Sequence, residues 1–306
     1  MTTCSKCRSA EAGVQLRYAR MSLCPPCFTE FYRARVRRTV EEFRMFKEGD
    51  DVGVAVSGGK DSAALLHALR LAYPRLKLKA LHVDLGIPGY SEHCRSKVEE
   101  LARMLGVELL VFDLQREVGV GMSDFRRTAL GRRVCSACGT VKRRAFELLA
   151  MRAGVRVLAT GHSLDDVVGA MFMDFLHGRW EQLVRLKPVL PPLAEGMALK
   201  VKPLVKTPEE EDALYCLYSG IPTCEVECPF AAEAGVRRGA RLLRLLAKEN
   251  PQARHLLLKR FLEVLPLLEG AAPKPALVKC RVCGLPSSSE VCAFCRRLAM
   301  LTSAKG

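Results

Sequence analysis

The sequence predicts an α/β fold, a doubly wound parallel sheet flanked at both ends by Cys4 ribbons of the zinc-binding kind. Three observations predict it. Strand-like and helix-like segments alternate between Asp51 and Leu176, the order expected of parallel strands joined by crossover helices. The first of those strands runs straight into Ser57-Gly58-Gly59-Lys60-Asp61-Ser62, a glycine turn that opens a helix. Paired Cys-x-x-Cys motifs stand near both termini, and two such pairs supply the four thiolates of a tetrahedral zinc site.

At the amino end, Cys4-x-x-Cys7 and Cys24-x-x-Cys27 are separated by 16 residues. Each turn offers two thiolates to one ion, and the residues between them form a short hairpin. Four protein ligands close the coordination shell, so the predicted site is structural, with a redox role for the pairs as the alternative. From Phe28 to Phe46 the pattern is helical, with Phe31, Val36, Val40 and Phe43 as candidate core contacts. Gly49-Asp50-Asp51 ends that helix.

Asp51-Val52-Gly53-Val54-Ala55-Val56 is apolar and rich in β-branched residues, as a strand buried on both faces must be. The glycine turn and the helix after it make an anion cradle. Backbone N–H groups face inward, the helix dipole favours negative charge, and glycine admits a phosphate where a Cβ would collide. The spacing is neither that of a Walker A loop nor G-x-G-x-x-G.

The helix runs to about Tyr73, where Pro74 marks its exit. Leu78 to Asp84 reads as a second strand, with Asp84 at the carboxyl edge where open α/β sheets bind ligands. Ser91 to Leu105 is an amphipathic helix and Glu108 to Phe112 a third strand. Cys135-x-x-Cys138 follows, among Arg132, Arg133, Lys142, Arg143 and Arg144. A helix starting near Cys138 sets positive charge and a dipole beside both sulfurs, which favours thiolate.

Val155 to Thr160 is a fourth strand, and Gly161-His162-Ser163-Leu164-Asp165-Asp166 turns it into a helix ending near Leu176. Two adjacent carboxylates there suit Mg²⁺, or one of them caps the helix. Leu186 to Pro208 reads as loops with a short strand, and Glu209 to Ser219 as helix. Gly220 to Phe230 is a loop carrying Cys224 and Cys228. Arg237 to Lys248 and Ala253 to Leu268 are basic helices, and Gly270 to Pro275 is a linker. The tail repeats the opening device, with Cys280-x-x-Cys283 and Cys292-x-x-Cys295 separated by eight residues. The predicted division is a ribbon over 1–30, a catalytic domain with a basic helical end over 31–270, and a second ribbon over 271–306.

At 306 residues the chain has room for a large core plus appendages. No apolar run reaches the ~18 residues of a membrane span, and the first residues carry no apolar leader. A cytoplasmic location, away from membranes, is expected. Lys and Arg number 48 against 33 acidic residues, a net charge of +15. That excess suits a polyanion such as nucleic acid, although a basic soluble protein needs no such partner. Fourteen cysteines without a secretion signal argue for metal or redox chemistry rather than a disulfide framework.

Eight cysteines go to the terminal sites, leaving Cys94, Cys135, Cys138, Cys216, Cys224 and Cys228. Cys94 and Cys216 fall inside helical patterns and read as small buried hydrophobes. Cys135, Cys138 and one loop cysteine make a three-thiolate site. A [4Fe–4S] cluster with one free iron, ordinary zinc, and a disulfide-forming pair all fit that count.

Four motifs occur in order: Ser57–Ser62, Cys135-x-x-Cys138-Gly139, Thr160-Gly161-His162-Ser163-Leu164-Asp165-Asp166, and Glu227-Cys228-Pro229-Phe230. The first resembles the PP-loop of ATP pyrophosphatases, a branch of the HUP-like α/β folds. All four, with ribbons at both ends, resemble the TtuA-type tRNA 2-thiolation enzymes over nearly the whole chain. The related TtcA branch lacks the ribbons.

The resemblance implies ATP, Mg²⁺, a [4Fe–4S] cluster, two structural Zn²⁺ and tRNA. It implies ATP contacts at Ala55, Val56, Ser57, Gly58, Gly59, Lys60, Asp61 and Ser62, at His82 and Asp84, and at Gly161, Asp165 and Asp166. It places the cluster on Cys135, Cys138 and Cys228, in preference to Cys224. Asp61, Lys142, Asp166, Cys135 and Cys138 become the catalytic candidates. Relatives often carry Asn where this chain has Ser163, a change expected to alter loop hydrogen bonding. The implied reaction adenylates the C2 oxygen of a uridine, position 54 of the T-loop ahead of the wobble uridine, and replaces it by sulfur. A ubiquitin-like carrier with a C-terminal thiocarboxylate and a homodimer belong to the same implication. Competing readings are a cysteine persulfide on Cys135 or Cys138 with no cluster, a zinc-ribbon RNA-binding protein with an idle ATP loop, and a lysidine or GMP synthetase relative.

Overall fold

The structure, a computed structural model, describes residues 2–128, 134–231, 236–271 and 276–302. Arg132, Arg133, most of the linker expected at 270–275 and the side chains of Arg237 and Arg238 lie outside the described residues.

The first hairpin pairs β1 (Val14–Leu16) with β2 (Met21–Leu23) antiparallel. Cys24 then caps α1 (Pro25–Glu42). Pro25 and Pro26 occupy its first turn, where the N–H a proline lacks has no helical partner anyway. This helix runs unbroken through the expected boundary at residue 30 and stops short of Phe46.

The central sheet has six strands. They are β3 (Asp51–Ala55), β4 (Lys77–Asp84), β5 (Glu108–Asp113), β6 (Val157–Thr160), β7 (Val189–Leu190) and β8 (Leu199–Val201). Their order is β5-β4-β3-β6-β8-β7, all parallel except β7, which pairs antiparallel with β8. The proline-broken stretch expected to hold one short strand thus forms two, at the sheet's edge. Gly53 leaves room inside β3 for neighbouring side chains, since a Cβ there would lie 2.8 Å from Leu81 Cδ1 and 3.0 Å from Val155 Cγ2.

Helices α2 (Lys60–Ala72), α3 (Ser91–Leu105), α4 (Leu114–Val118), α5 (Val134–Arg152) and α6 (Leu164–Leu176) alternate with these strands. The α3 pattern turns Cys94, Val98, Leu101 and Ala102 inward, and Gly106 ends it in the left-handed conformation. Beyond come α7 (Trp180–Leu183), α8 (Glu209–Tyr218), α9 (Val236–Glu249), α10 (Ala253–Ala271), the hairpin β9 (Val278–Lys279) and β10 (Pro286–Ser287), and α11 (Ala293–Thr302). Helices α6 and α9 cross backbone to backbone, since a Cβ on Gly169 would lie 2.6 Å from Ala240 N. Among the described residues no helix is long and apolar enough to cross a membrane.

Neither ribbon packs as a separate body. Cys4, Val14, Leu23, Cys24 and Phe28 share one core with Val52 and Val54 of β3 and Leu65, Leu66 and Leu69 of α2. Cys280, Cys292, Phe294 and Cys295 share a second with Phe112, Cys138, Val141 and Phe230. A third lies between α6, α9 and α10.

The sheet's wiring reverses at β3, with β4 and β5 to one side and β6 and β8 to the other. The carboxyl ends of β3 and β6 therefore form the switch point, the place where open α/β sheets take their ligands.

Candidate active site

The Ser57–Ser62 loop leaves β3 at that switch point. Gly58 adopts φ +88°, a left-handed conformation that glycine holds without strain. Gly59 caps α2 with no side-chain hydrogen bond, so the first-turn N–H groups face outward without a capping side chain. Ser62 braces the loop from within. Its Oγ accepts from Ser57 N–H at 3.0 Å and donates to the Gly59 carbonyl at 3.0 Å. Gly161 touches the same turn, because a Cβ there would lie 2.9 Å from Ser62 N and Cα. The Thr160-Gly161-His162 loop and the phosphate-type loop are therefore in backbone contact.

Lys60 Nζ lies 2.7 Å from Glu209 Oε1 and 3.0 Å from Asp61 Oδ1. Burial works against its charge, but the two carboxylates outweigh it and hold the ammonium above its usual range. Glu209 opens an acidic run whose members meet different partners. Glu210 pairs with Arg254, Glu211 pairs with Arg35 at 2.8 Å, and Asp212 accepts from the Tyr32 hydroxyl at 2.6 Å. Asp212 forms no ion pair among the described residues, and the Lys60 charge only partly opposes its burial. Burial and the Asp61 carboxyl push its pKa far up, so it stays protonated. Arg35 of α1 is buried in this network and is not a surface charge.

Other expected nucleotide contacts fall in mixed positions. His82 is buried, and its Nδ1 donates to the Val56 carbonyl at 2.8 Å. Burial lowers its pKa, so the ring is neutral, and its Nε2 has no partner. Asp84 accepts from Gly86 N–H at 3.0 Å and faces Arg95. Asp165 is 1 % exposed, bonded by Arg254 at 2.8 Å and by the Glu209 N–H at 3.0 Å. It serves as a structural anchor between α6, α8 and α10 rather than an open ligand. Asp166 is the reachable member of the pair. It forms a capping box with Ser163, accepting from Ser163 N–H at 3.1 Å. Serine and asparagine cap helices equally well, so Ser163 preserves the turn that an asparagine would make.

Cys135 and Cys138 lie three residues apart in the first turns of α5, which begins four residues before the expected start. Burial raises the Cys138 thiol, Lys142 opposes it, and the charges of Cys135 and Cys228 also bear on it. The Lys142 charge also bears on His162, so both the Cys138 thiol and the Thr-Gly-His loop lie within its electrostatic range. Cys228 and Cys138 belong to the same packed cluster. Among the described residues, only the terminal quartets bring three or more ligand atoms within 4.8 Å of one another. The trio is thus more open than the ligand set of a single ion. A multi-iron cluster, whose thiolates sit on different irons, suits that wider spacing.

The quartets fit zinc closely. A tetrahedral ion with Zn–S bonds of about 2.3 Å holds its sulfurs roughly 3.8 Å apart. Cys7 and Cys24 are separated by 3.9 Å, Cys280 and Cys295 by 3.9 Å, and Cys283 and Cys292 by 3.8 Å. In the second quartet the Cys292 and Cys295 N–H groups point at ligand sulfurs. That ribbon also braces α5, with Arg297 donating to the Ser136 carbonyl at 2.7 Å.

Residues 31–211 match the family model of the PP-loop domain. The tRNA-5-methyluridine(54) 2-sulfurtransferase of Thermus thermophilus is 38% identical over 96% of this chain and 90% of its own length. The chain belongs to the PP-loop family of tRNA 2-sulfurtransferases. The Thermotoga maritima protein of the same name is 36% identical over 96% of this sulfurtransferase and 95% of its own length. Mouse cytoplasmic tRNA 2-thiolation protein 1 is 33% identical, over 97% and 72% respectively. The fold matches that of the U34-tRNA thiolase NcsA from Methanococcus maripaludis, solved with its [4Fe–4S] cluster. The TM-score is 0.81 at 23% identity, over 97% of this chain and 95% of that one.

Sequence reasoning passed over several groups around this transferase's crevice. Glu209 and Asp212 were legible only as an acidic helix start, which ordinarily answers the helix dipole. Cys94, read as a buried hydrophobe, meets Cys224 sulfur to sulfur at 2.8 Å. Pattern alone gives no signal for that contact, because 130 residues separate the two.

Proposed function

We propose that this chain thiolates a tRNA uridine at C2, with position 54 as the target. The support for position 54 is the name carried by relatives at 38% and 36% identity over nine-tenths or more of their length. The observation that carries the reaction is the meeting of three groups of residues. The phosphate-type loop touches Gly161, and Cys138 and Cys228 pack in one cluster with Ala55 at the end of β3. Lys142 lies within electrostatic range of Cys138 and His162.

The uridine C2 oxygen attacks the α-phosphorus of ATP. An O–P bond forms, the α–β bond breaks and pyrophosphate leaves. The N–H groups at Gly59 and the start of α2 hold the phosphates, and Lys60 offsets their charge, released in part from Glu209. Asp61 and Asp166 are the carboxylates for Mg²⁺ or for ATP placement, and the unpaired His82 Nε2 is an acceptor beside the loop. Sulfur then adds at C2 and AMP departs with the former oxygen, so the exchange is redox-neutral. Lys142 steadies the negative charge during both steps. A cluster held by Cys135, Cys138 and Cys228 would leave one iron without a protein ligand, open to a sulfur species. The terminal quartets hold structural Zn²⁺. The net charge of +15 serves tRNA, and the sulfur reaches the crevice on a thiocarboxylated carrier protein.

The test is nucleoside mass spectrometry of tRNA from a deletion strain complemented with wild type or Cys228→Ala. Wild type restores the 2-thio nucleoside of position 54, and Cys228→Ala does not. Recovery of wobble 2-thiouridine instead moves the target to position 34. Full activity in Cys228→Ala removes the cluster assignment.

A further inference from the structure

Three cysteines lie outside the trio and the quartets. Cys216 is buried and its thiol donates to the Lys60 carbonyl at 3.3 Å. Cys94 and Cys224 form a pair, their sulfurs 2.8 Å apart. Sulfurs arranged for one zinc ion in this same chain stand 3.8–3.9 Å apart, so the pair is too close to share an ion.

Gly58 lies between the two residues. Cys224 N–H donates to the Gly58 carbonyl at 2.8 Å. On the other side, a Cβ on Gly58 would lie 2.9 Å from Cys94 O and 3.0 Å from Cys94 Cα. The start of α3, the phosphate-type loop and the loop carrying Cys228 therefore converge on one glycine. Cys94 is enclosed, whereas Cys224 is partly open to solvent, so a reagent can reach one thiol and the second can resolve the product.

We infer that Cys94 and Cys224 are a redox-active dithiol that closes to a disulfide across the phosphate-type loop. The oxidant is a low-molecular-weight disulfide. Cys224 attacks it, forming a mixed disulfide and releasing one thiol. Cys94 then attacks the Cys224 sulfur and expels the second thiol. Two electrons and two protons pass from the pair to the reagent, and a thiol reductant reverses both steps. The closed form fastens the 220–230 loop to α3 around Gly58 and fixes the position of Cys228. The consequence for thiolation rests on the function proposed above, whereas the disulfide itself does not.

The experiment uses the full-length, metal-loaded protein under anaerobic conditions with oxidised glutathione as probe. Free thiols are capped, the protein is digested without reductant, and cross-linked peptides are mapped. The Cys94–Cys224 peptide is expected as the main cross-link, with a melting temperature several degrees higher that dithiothreitol reverses. Cys94→Ser should show neither change and keep its basal ATP turnover. In the wild type, tRNA thiolation should fall at least tenfold on oxidation and recover on reduction. A digest in which Cys224 bears only glutathione, or is bridged to Cys228, overturns the inference. If the 94–224 peptide forms but no form of the protein thiolates tRNA, the functional reading fails and the dithiol stands.

Discussion

Lys142 has no carboxylate against it among the described ion pairs, in contrast to Lys60, which is held by two. A cation without a carboxylate partner there, within electrostatic range of Cys138 and His162, is available for charge that develops during reaction. Lys142→Ala is expected to lower the thiolation rate about 100-fold, the scale of losing one such donor. ATP affinity should stay unchanged, checked by equilibrium binding alongside single-turnover thiolation. Asp212 makes a different prediction. Its pKa in the fold is raised above the unfolded value, by burial first and by Asp61 second. The stability this contributes is present below the ordinary carboxylate pKa and is lost as pH rises through the raised value. Asparagine keeps an acceptor for Tyr32 and a donor toward Asp61 but has no proton to lose. Asp212→Asn should therefore gain stability over wild type progressively from pH 5 to pH 8, read as urea midpoints. An equal shift at both ends of that range would mean that Asp212 does not hold the proton.

At the scale of elements, the turn between β3 and α2 depends on one backbone conformation. A side chain at Gly58 must adopt φ near +88° while meeting Cys94 backbone atoms at 2.9–3.0 Å. The left-handed conformation alone costs a non-glycine residue ~1–2 kcal/mol, and Cys94 sits on a packed helix that cannot recede. Gly58→Ala is expected to keep the circular dichroism spectrum of the wild type and lose pyrophosphate release from ATP by more than tenfold. Near-normal release would mean that the turn relaxes without harm. The acidic start of α8 works in the opposite sense. It spends Glu209, Glu210 and Glu211 on cations from α2, α10 and α1, and so fixes three helices around the crevice. Buried pairs of this kind bring little net stability but penalise any packing that separates them.

The two ribbons belong to the cores of the whole molecule. Cys4 and Cys24 pack with β3 and α2, and Cys280, Cys292 and Cys295 pack with Cys138 and Phe230. Stripping zinc with a chelator should then lower the main thermal transition of the entire protein, because metal binding is linked to folding. Calorimetry of the stripped and reloaded protein checks it. A separate small transition with an unmoved main peak would make the ribbons autonomous. Arg297, reaching from α11 to the Ser136 carbonyl at 2.7 Å, gives the second ribbon a route to the cysteine trio, so its loss should disturb that site first.

Periodicity in the chain was enough to place β3, β4, β5 and β6, and α3 came out at its observed limits, since apolar spacing along one segment is a local property. The glycine turn and the terminal quartets were legible for the same reason: their ligands are separated by short, fixed intervals. The sequence could not say which of Asp165 and Asp166 faces the crevice, because both are carboxylates in one helical turn. Arg254, 89 residues from Asp165, decides that by claiming one of them. Cys94 and Cys224 were likewise indistinguishable from buried or loop cysteines until α3 and the 220–230 loop met at Gly58. Residue type and spacing determined the elements and the chemistry on offer. Packing between distant segments decided which groups are engaged and which stay free, because charge pairing and sulfur contacts depend on distance in space.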